Sequence, residues 1–176
     1  MEKLYVENGR LTAGGVPLLL RGFGLGGWLL PEGYMWKFYT KCDRPRRIEA
    51  LVEQLCGAEY AASFWERYYG SYITEADIRL AAENGFNSVR LPFNARHLME
   101  PGYLRRIDDC VRWCAECGIY AILDMHAAPG GQTGQNIDDS ERDMPELFMR
   151  PEHQDELCSL WEMLAARYRG EAAVAG

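Results

Sequence analysis

Arg90, Asp124 and His126 each stand at or near the end of an apolar run, where a side chain meets a ligand rather than a core. Arg90 is a fixed cation inside Phe86-Asn87-Ser88-Val89-Arg90-Leu91-Pro92. A guanidinium in such a strand holds a carboxylate in a bidentate fork, either for function or to brace an internal ion pair. His126 follows Asp124 by two residues, so on a strand both side chains project to one side. A histidine there is either a hydrogen-bonded structural group or a participant in chemistry. Glu32 follows Trp28 across a Leu-Leu-Pro turn. That places an aromatic floor beside a carboxylate, a pairing suited to flat hydroxylated ligands, unless Glu32 is simply a solvated loop acid. Asn94, after Arg90-Leu91-Pro92-Phe93, adds an amide, so acid, arginine, histidine and amide groups are expected to converge on one mouth.

The elements that must carry these groups follow from the pattern of the chain. Asn8-Gly9 between Leu4-Tyr5-Val6 and Arg10-Leu11-Thr12 predicts an opening hairpin, because both turn residues tolerate positive φ. The apolar run Val16–Leu20, followed by Gly22, Gly24, Gly26 and Gly27, reads as a first buried strand entering a glycine-rich loop. Residues 45–69 form a helical excursion in two pieces, broken near Gly57. Thr74 with Asp77 three residues on is a capping pair, and Asn84-Gly85 a stop, for a helix over 75–83. Phe86–Pro92 is a second strand with its proline at the exit. A helix over 103–117 closes at Gly118, a third strand runs through Ile119–Met125, a polar loop follows to about Pro145, a third helix spans 152–169, and a fourth apolar run opens at Ala172.

Strands alternating with helices at this spacing require a parallel sheet, either doubly wound or closed into a barrel. The glycines at 22, 24, 26 and 27 lack the spacing of a dinucleotide fingerprint, and an opening hairpin has no place in a nucleotide-binding sheet, so the barrel is favoured. Three and a half βα units fall short of a (β/α)8 TIM barrel of about 250 residues. Residues 1–176 are therefore expected to be the N-terminal part of a single α/β barrel domain, about strands 1–3 and the start of strand 4.

The composition excludes several functions. A net charge of −7, from 26 acidic and 19 basic residues, gives no broad positive field for nucleic acid. The polar N-terminus and the lack of a long apolar run point to a soluble, cytoplasmic protein with no membrane partner. Cys110, Cys114 and Cys117 share a helix face and read as small buried hydrophobes rather than a metal or disulfide framework. Only His97, His126 and His153 are available to a metal, so a metal-dependent barrel hydrolase is a minor alternative and no cofactor is expected.

Three ordered motifs carry a family resemblance. Gly22-Phe23-Gly24-Leu25-Gly26-Gly27-Trp28-Leu29-Leu30-Pro31-Glu32, then Ile73-Thr74-Glu75-Ala76-Asp77 with Gly85–Pro92, then Leu123-Asp124-Met125-His126-Ala127-Ala128-Pro129-Gly130-Gly131-Gln132 resemble family 5 glycoside hydrolases, especially their exo-β-1,3-glucanase-like branch. The resemblance implies hydrolysis of a β-glucan or β-glucoside by a retaining mechanism with two glutamates about 5 Å apart. It implies that Arg90 orients the nucleophile, that His126 lines the subsite beside the scissile bond, and that Glu32 binds hydroxyls, with Trp28 and Asn94 at the same mouth. Asn136, Asp138 and Asp139 would add hydrogen bonds from the loop after strand three. No glutamate here matches the acid/base expected after an asparagine on strand four, or the nucleophile expected on strand seven, so the 176 residues alone are expected to be inactive. A non-catalytic carbohydrate-binding barrel is the other alternative.

Overall fold

The computed structural model describes residues 1–38 and 42–176. The chain opens with β1 (Leu4–Glu7) and β2 (Arg10–Ala13), paired antiparallel around Asn8 and Gly9 at φ 51° and 71°. This is the hairpin that the Asn-Gly pair dictates. A third strand, β3 (Val16–Pro17), adds to β2. The expected first barrel strand over Val16–Leu20 is thus displaced. Val16 and Leu19 are 66% and 75% exposed, and the parallel sheet begins instead at β4 (Gly22–Gly24). An apolar run says only that a strand is apolar, whereas the contact that decides is steric. A Cβ on Gly22 would lie 2.0 Å from the Ser88 carbonyl oxygen, so glycine alone permits this approach.

The excursion folds as two helices, α1 (Pro45–Cys56) and α2 (Ala58–Ser71), separated at Gly57 with φ 80°. Then α3 (Glu75–Glu83) starts on Thr74, whose backbone N and Oγ1 both donate to the Asp77 carboxylate at 2.8 Å, and stops at Asn84 before Gly85. The second parallel strand, β5 (Ser88–Asn94), runs two residues beyond Pro92 rather than ending there. The Leu25 amide donates to the Arg90 carbonyl, so Arg90 and, two residues on, Pro92 face the β4 side. Since β4 ends opposite Arg90, the donor that Pro92 lacks would have met no strand.

A long helix, α4 (Pro101–Cys117), closes on left-handed Gly118 and leads to β6 (Tyr120–Ala127). Helices α5 (Glu146–Met149) and α6 (Pro151–Arg167) follow. Residues 173–176 lie along the free side of β6: Ala121 N donates to Ala173 O at 2.7 Å, Ala175 N to Ala121 O at 2.8 Å, and Leu123 N to Gly176 O at 2.8 Å. Four segments therefore stand side by side in chain order, all parallel, without the reversal of a doubly wound sheet.

One face of this sheet is core. Val89, Leu91 and Phe93 of β5 and Ala121, Leu123 and Met125 of β6 pack on Ile78, Ile107, Val111 and Leu164 from α3, α4 and α6. Each fully buried Leu or Phe stabilises by about 1.5–3 kcal/mol. Cys110 and Cys114 are buried in the same cluster, where their mutual hydrogen bond and then burial push the Cys110 thiol up, and Cys117 is half-buried at its edge. The opposite face carries Gly24, Arg90, Asp124 and His126. Among the described residues no helix is long and apolar enough to cross a membrane.

Candidate functional site

Strand alternation sends Arg90, Asp124 and His126 to the inner face, near the C-terminal ends of parallel strands. The Arg90 guanidinium forms an ion pair with Asp124 and lies 2.8 Å from His126 Nδ1, which is 3.1 Å from the same carboxylate. Nδ1 thus faces a donor, Arg90, and an acceptor, Asp124, while Nε2 makes no hydrogen bond among the described residues. Within these 176 residues the Arg90 side chain is 42% exposed.

Glu32 joins it from the loop after β4. The residue is buried, and burial pushes its carboxyl up; His126 and Arg90 act in the opposite sense and Asp124 adds to the rise. Glu32 therefore lies within electrostatic range of all three. The loop is fastened along its length. Tyr68 Oη donates to the Gly27 carbonyl at 2.5 Å, Trp28 Nε1 to the Tyr69 carbonyl at 2.8 Å, and Tyr103 Oη to the Leu29 carbonyl. Gly33 N donates to the Asp43 carbonyl at 3.0 Å, at a crossing so close that a Cβ would meet the Cys42 carbonyl at 2.3 Å. Glutamate is thus held in a turn whose backbone has little freedom.

Tyr34, two residues beyond Glu32, was not anticipated. It is 46% exposed, and its phenol is pushed up by burial and by Glu32, with Arg90 opposing, so it stands within electrostatic range of both. The signal for it in the chain is an aromatic with a hydroxyl, two residues from an acid, in a glycine-bounded loop.

Trp28 is not the aromatic floor expected of it. Its ring is wholly buried, lies 6.5 Å from Trp113, and spends its only donor on Tyr69. Asn94 also leaves the mouth. It is buried, donates to Asp139 at 2.9 Å and accepts from the Arg96 amide at 3.0 Å. Asp139 further accepts from Arg96 Nε and the Arg46 amide, both at 2.8 Å, and Arg96 reaches Glu49 at 2.7 Å. This knot ties the excursion, the end of β5 and the loop after β6 together. Asp138 is likewise internal, accepting from Thr133, Gly134 and Ser140. Asn136 is half-buried in that loop, and among the described residues no hydrogen bond links it to Arg90 or Glu32.

His97 and His153 stand apart from His126. His97 bridges Glu49 and Glu100, and His153 packs against Gly130 with Glu156 3.7 Å away. Among the described residues no group of three or more His, Cys, Asp or Glu side chains stands close enough to hold a metal ion.

Arg90, Asp124 and His126 thus stand together at the C-terminal ends of the parallel strands of a βα domain, with the buried carboxyl of Glu32 in the loop after β4. Residues 51–175 match the family model for cellulase (glycosyl hydrolase family 5), and the chain belongs to that family. It is 33% identical over 170 residues to a β-xylosidase of Phanerodontia chrysosporium, covering 92% of this chain and 35% of the relative. It is 32% identical over 157 residues to a probable glucan 1,3-β-glucosidase A of Emericella nidulans, covering 85% and 38%. The crystal structure of rutinosidase from Aspergillus niger superposes with a TM-score of 0.70 at 20% identity, over 88% of this chain and 46% of the other. That likeness shows the fold. The chain spans about a third of the length of these curated relatives.

Proposed function

We propose that residues 1–176 are the first part of a closed (β/α)8 barrel that hydrolyses β-glucosidic bonds in β-glucans or β-glucosides with retention of configuration. The observation that carries this is the cluster of Arg90, Asp124 and His126 at the strand ends, with Glu32 within electrostatic range of it. Two glutamates from later strands complete the reaction: one protonates the leaving oxygen, and the other attacks the anomeric carbon about 5 Å away. Arg90, which here holds Asp124, also donates to the nucleophile and keeps it ionised. His126 Nε2 hydrogen-bonds a hydroxyl beside the scissile bond. Glu32 and the Tyr34 hydroxyl fix the terminal sugar. The relatives are named for xylosidase and 1,3-glucosidase activities, and the resemblance of the strand-end motifs to the exo-β-1,3-glucanase-like branch favours a β-glucosyl unit.

Aryl β-glucoside turnover tests it. The full-length protein is expected to hydrolyse the substrate, its E32Q variant to show a raised KM with a smaller change in kcat, and the 176 residues alone to be inactive. Turnover by the 176 residues would overturn the division of labour. Glucan binding without turnover by the full-length protein would instead mark a non-catalytic carbohydrate-binding barrel.

A further inference from the structure

A second cavity, of about 440 Å³, lies between the excursion and the start of α4, lined by groups the strand-end cluster does not use. Its size falls within the range of small-ligand sites, roughly 300–1,000 Å³. Trp65 and Tyr69 line it from α2, with rings 5.6 Å apart and 26° from parallel, and Tyr103 from α4. Ala58, Ala61 and Gly102 keep it open, since a Cβ on Gly102 would meet nothing within 4 Å.

Carboxylates surround these rings, and most are already paired. Glu49 is bonded to His97 at 2.9 Å and to Arg96 at 2.7 Å, Glu100 to His97 at 2.8 Å, and Glu66 to Arg106 at 2.5 Å. Paired carboxylates keep lone pairs to accept from hydroxyls, while their charge is largely neutralised. Arg106 brings donors of its own. Flat rings beside neutralised acceptors and a guanidinium fork suit an uncharged polyhydroxyl ring, whose C–H faces lie on aromatic carbon while its hydroxyls reach the rim. An organic cation would call for unpaired acids, and Glu53 is the one lining carboxylate without a described partner.

We propose that this cavity is a second carbohydrate site, taking a glucose unit of a β-linked oligosaccharide. Its walls meet the first site through the backbone. Tyr69 accepts from Trp28 and Tyr103 donates to Leu29, the residues that lead to Glu32, so an occupant would stiffen the loop carrying that carboxyl.

The test is calorimetric titration of the purified full-length protein with a thio-linked β-glucobiose, which resists hydrolysis. Gly102→Leu fills the cavity from an open helical position that gains helix propensity, so the fold is kept. Two binding events are expected in the parent protein. G102L should weaken one of them by at least about tenfold. E32Q should weaken chiefly the other. Unchanged binding in G102L, or a single event abolished by E32Q, would overturn the second site while leaving the first standing. Saturable binding of tetramethylammonium, lost in G102L, with no sugar event lost there would overturn it in favour of a cation.

Discussion

Asp138 is the most deeply committed carboxylate in the chain, and its removal has a calculable cost. It is fully buried and accepts from Thr133 N at 2.6 Å, Thr133 Oγ1 at 2.8 Å, Gly134 N at 3.0 Å and Ser140 N at 2.9 Å. In Asp138→Ala the Gly134 and Ser140 amides, both in buried bonds, lose their acceptor. An unsatisfied buried donor costs about 1–3 kcal/mol, so the pair predicts roughly 2–6 kcal/mol, with Asp138→Asn losing less because one oxygen stays. Burial alone would raise this carboxyl, and the donors from Ser140, Thr133 and Gly134 outweigh it and hold it down. Its stabilisation is therefore complete above the unfolded carboxylate value of about 3.9 and is lost as pH falls through the lower folded value. Urea denaturation of parent and variants across acid pH measures both effects. Asp138→Ala within about 0.5 kcal/mol of the parent, or an acid limb unchanged in Asp138→Asn, would refute the internal role.

Three other perturbations bear on separate parts of the fold. Gly22→Ala drives a Cβ into the Ser88 carbonyl and should cost at least about 1–3 kcal/mol, whereas Gly102→Ala, with open space above it, should not destabilise; equal effects in thermal melts would contradict the close β4–β5 approach. Trp28→Ala should cost about 3–5 kcal/mol of stability, and loss of sugar affinity with an unchanged melting temperature would return Trp28 to the mouth. Burial lowers the His97 imidazole, but Glu49 and Glu100 together outweigh it and raise it. The stability His97 adds over His97→Gln should therefore be complete below the unfolded value of about 6.5, reach about 1.5–3 kcal/mol there, and vanish as pH rises through the higher folded value; a gap that widens with pH would reverse that sign.

What was legible in the sequence was local. Asn8-Gly9, the Thr74–Asp77 cap and Gly118 fix their turns and helix ends through neighbours within a few residues, and those elements form where expected. Arg90, Asp124 and His126 were legible because strand alternation alone sets their common face. The misplaced residues depend on distant partners. Asn94 is taken up by Asp139, 45 positions away, and Trp28 by Tyr69, 41 away. The first parallel strand was misplaced because hydrophobicity at Val16–Leu20 competed with a packing demand at Gly22 that shows only once Ser88 is beside it. Tyr34 was missed for a related reason: a tyrosine in a polar loop shows nothing until the fold brings it within electrostatic range of Glu32 and Arg90.

The most direct measurement is proton NMR of the first-formed sugar released from an aryl β-glucoside by the full-length protein, read before mutarotation. A β-anomer appearing first, at a rate that falls sharply when Arg90 is replaced by Met, is the expected result. An α-anomer appearing first, or a rate indifferent to Arg90, would contradict a retaining site built on this arginine.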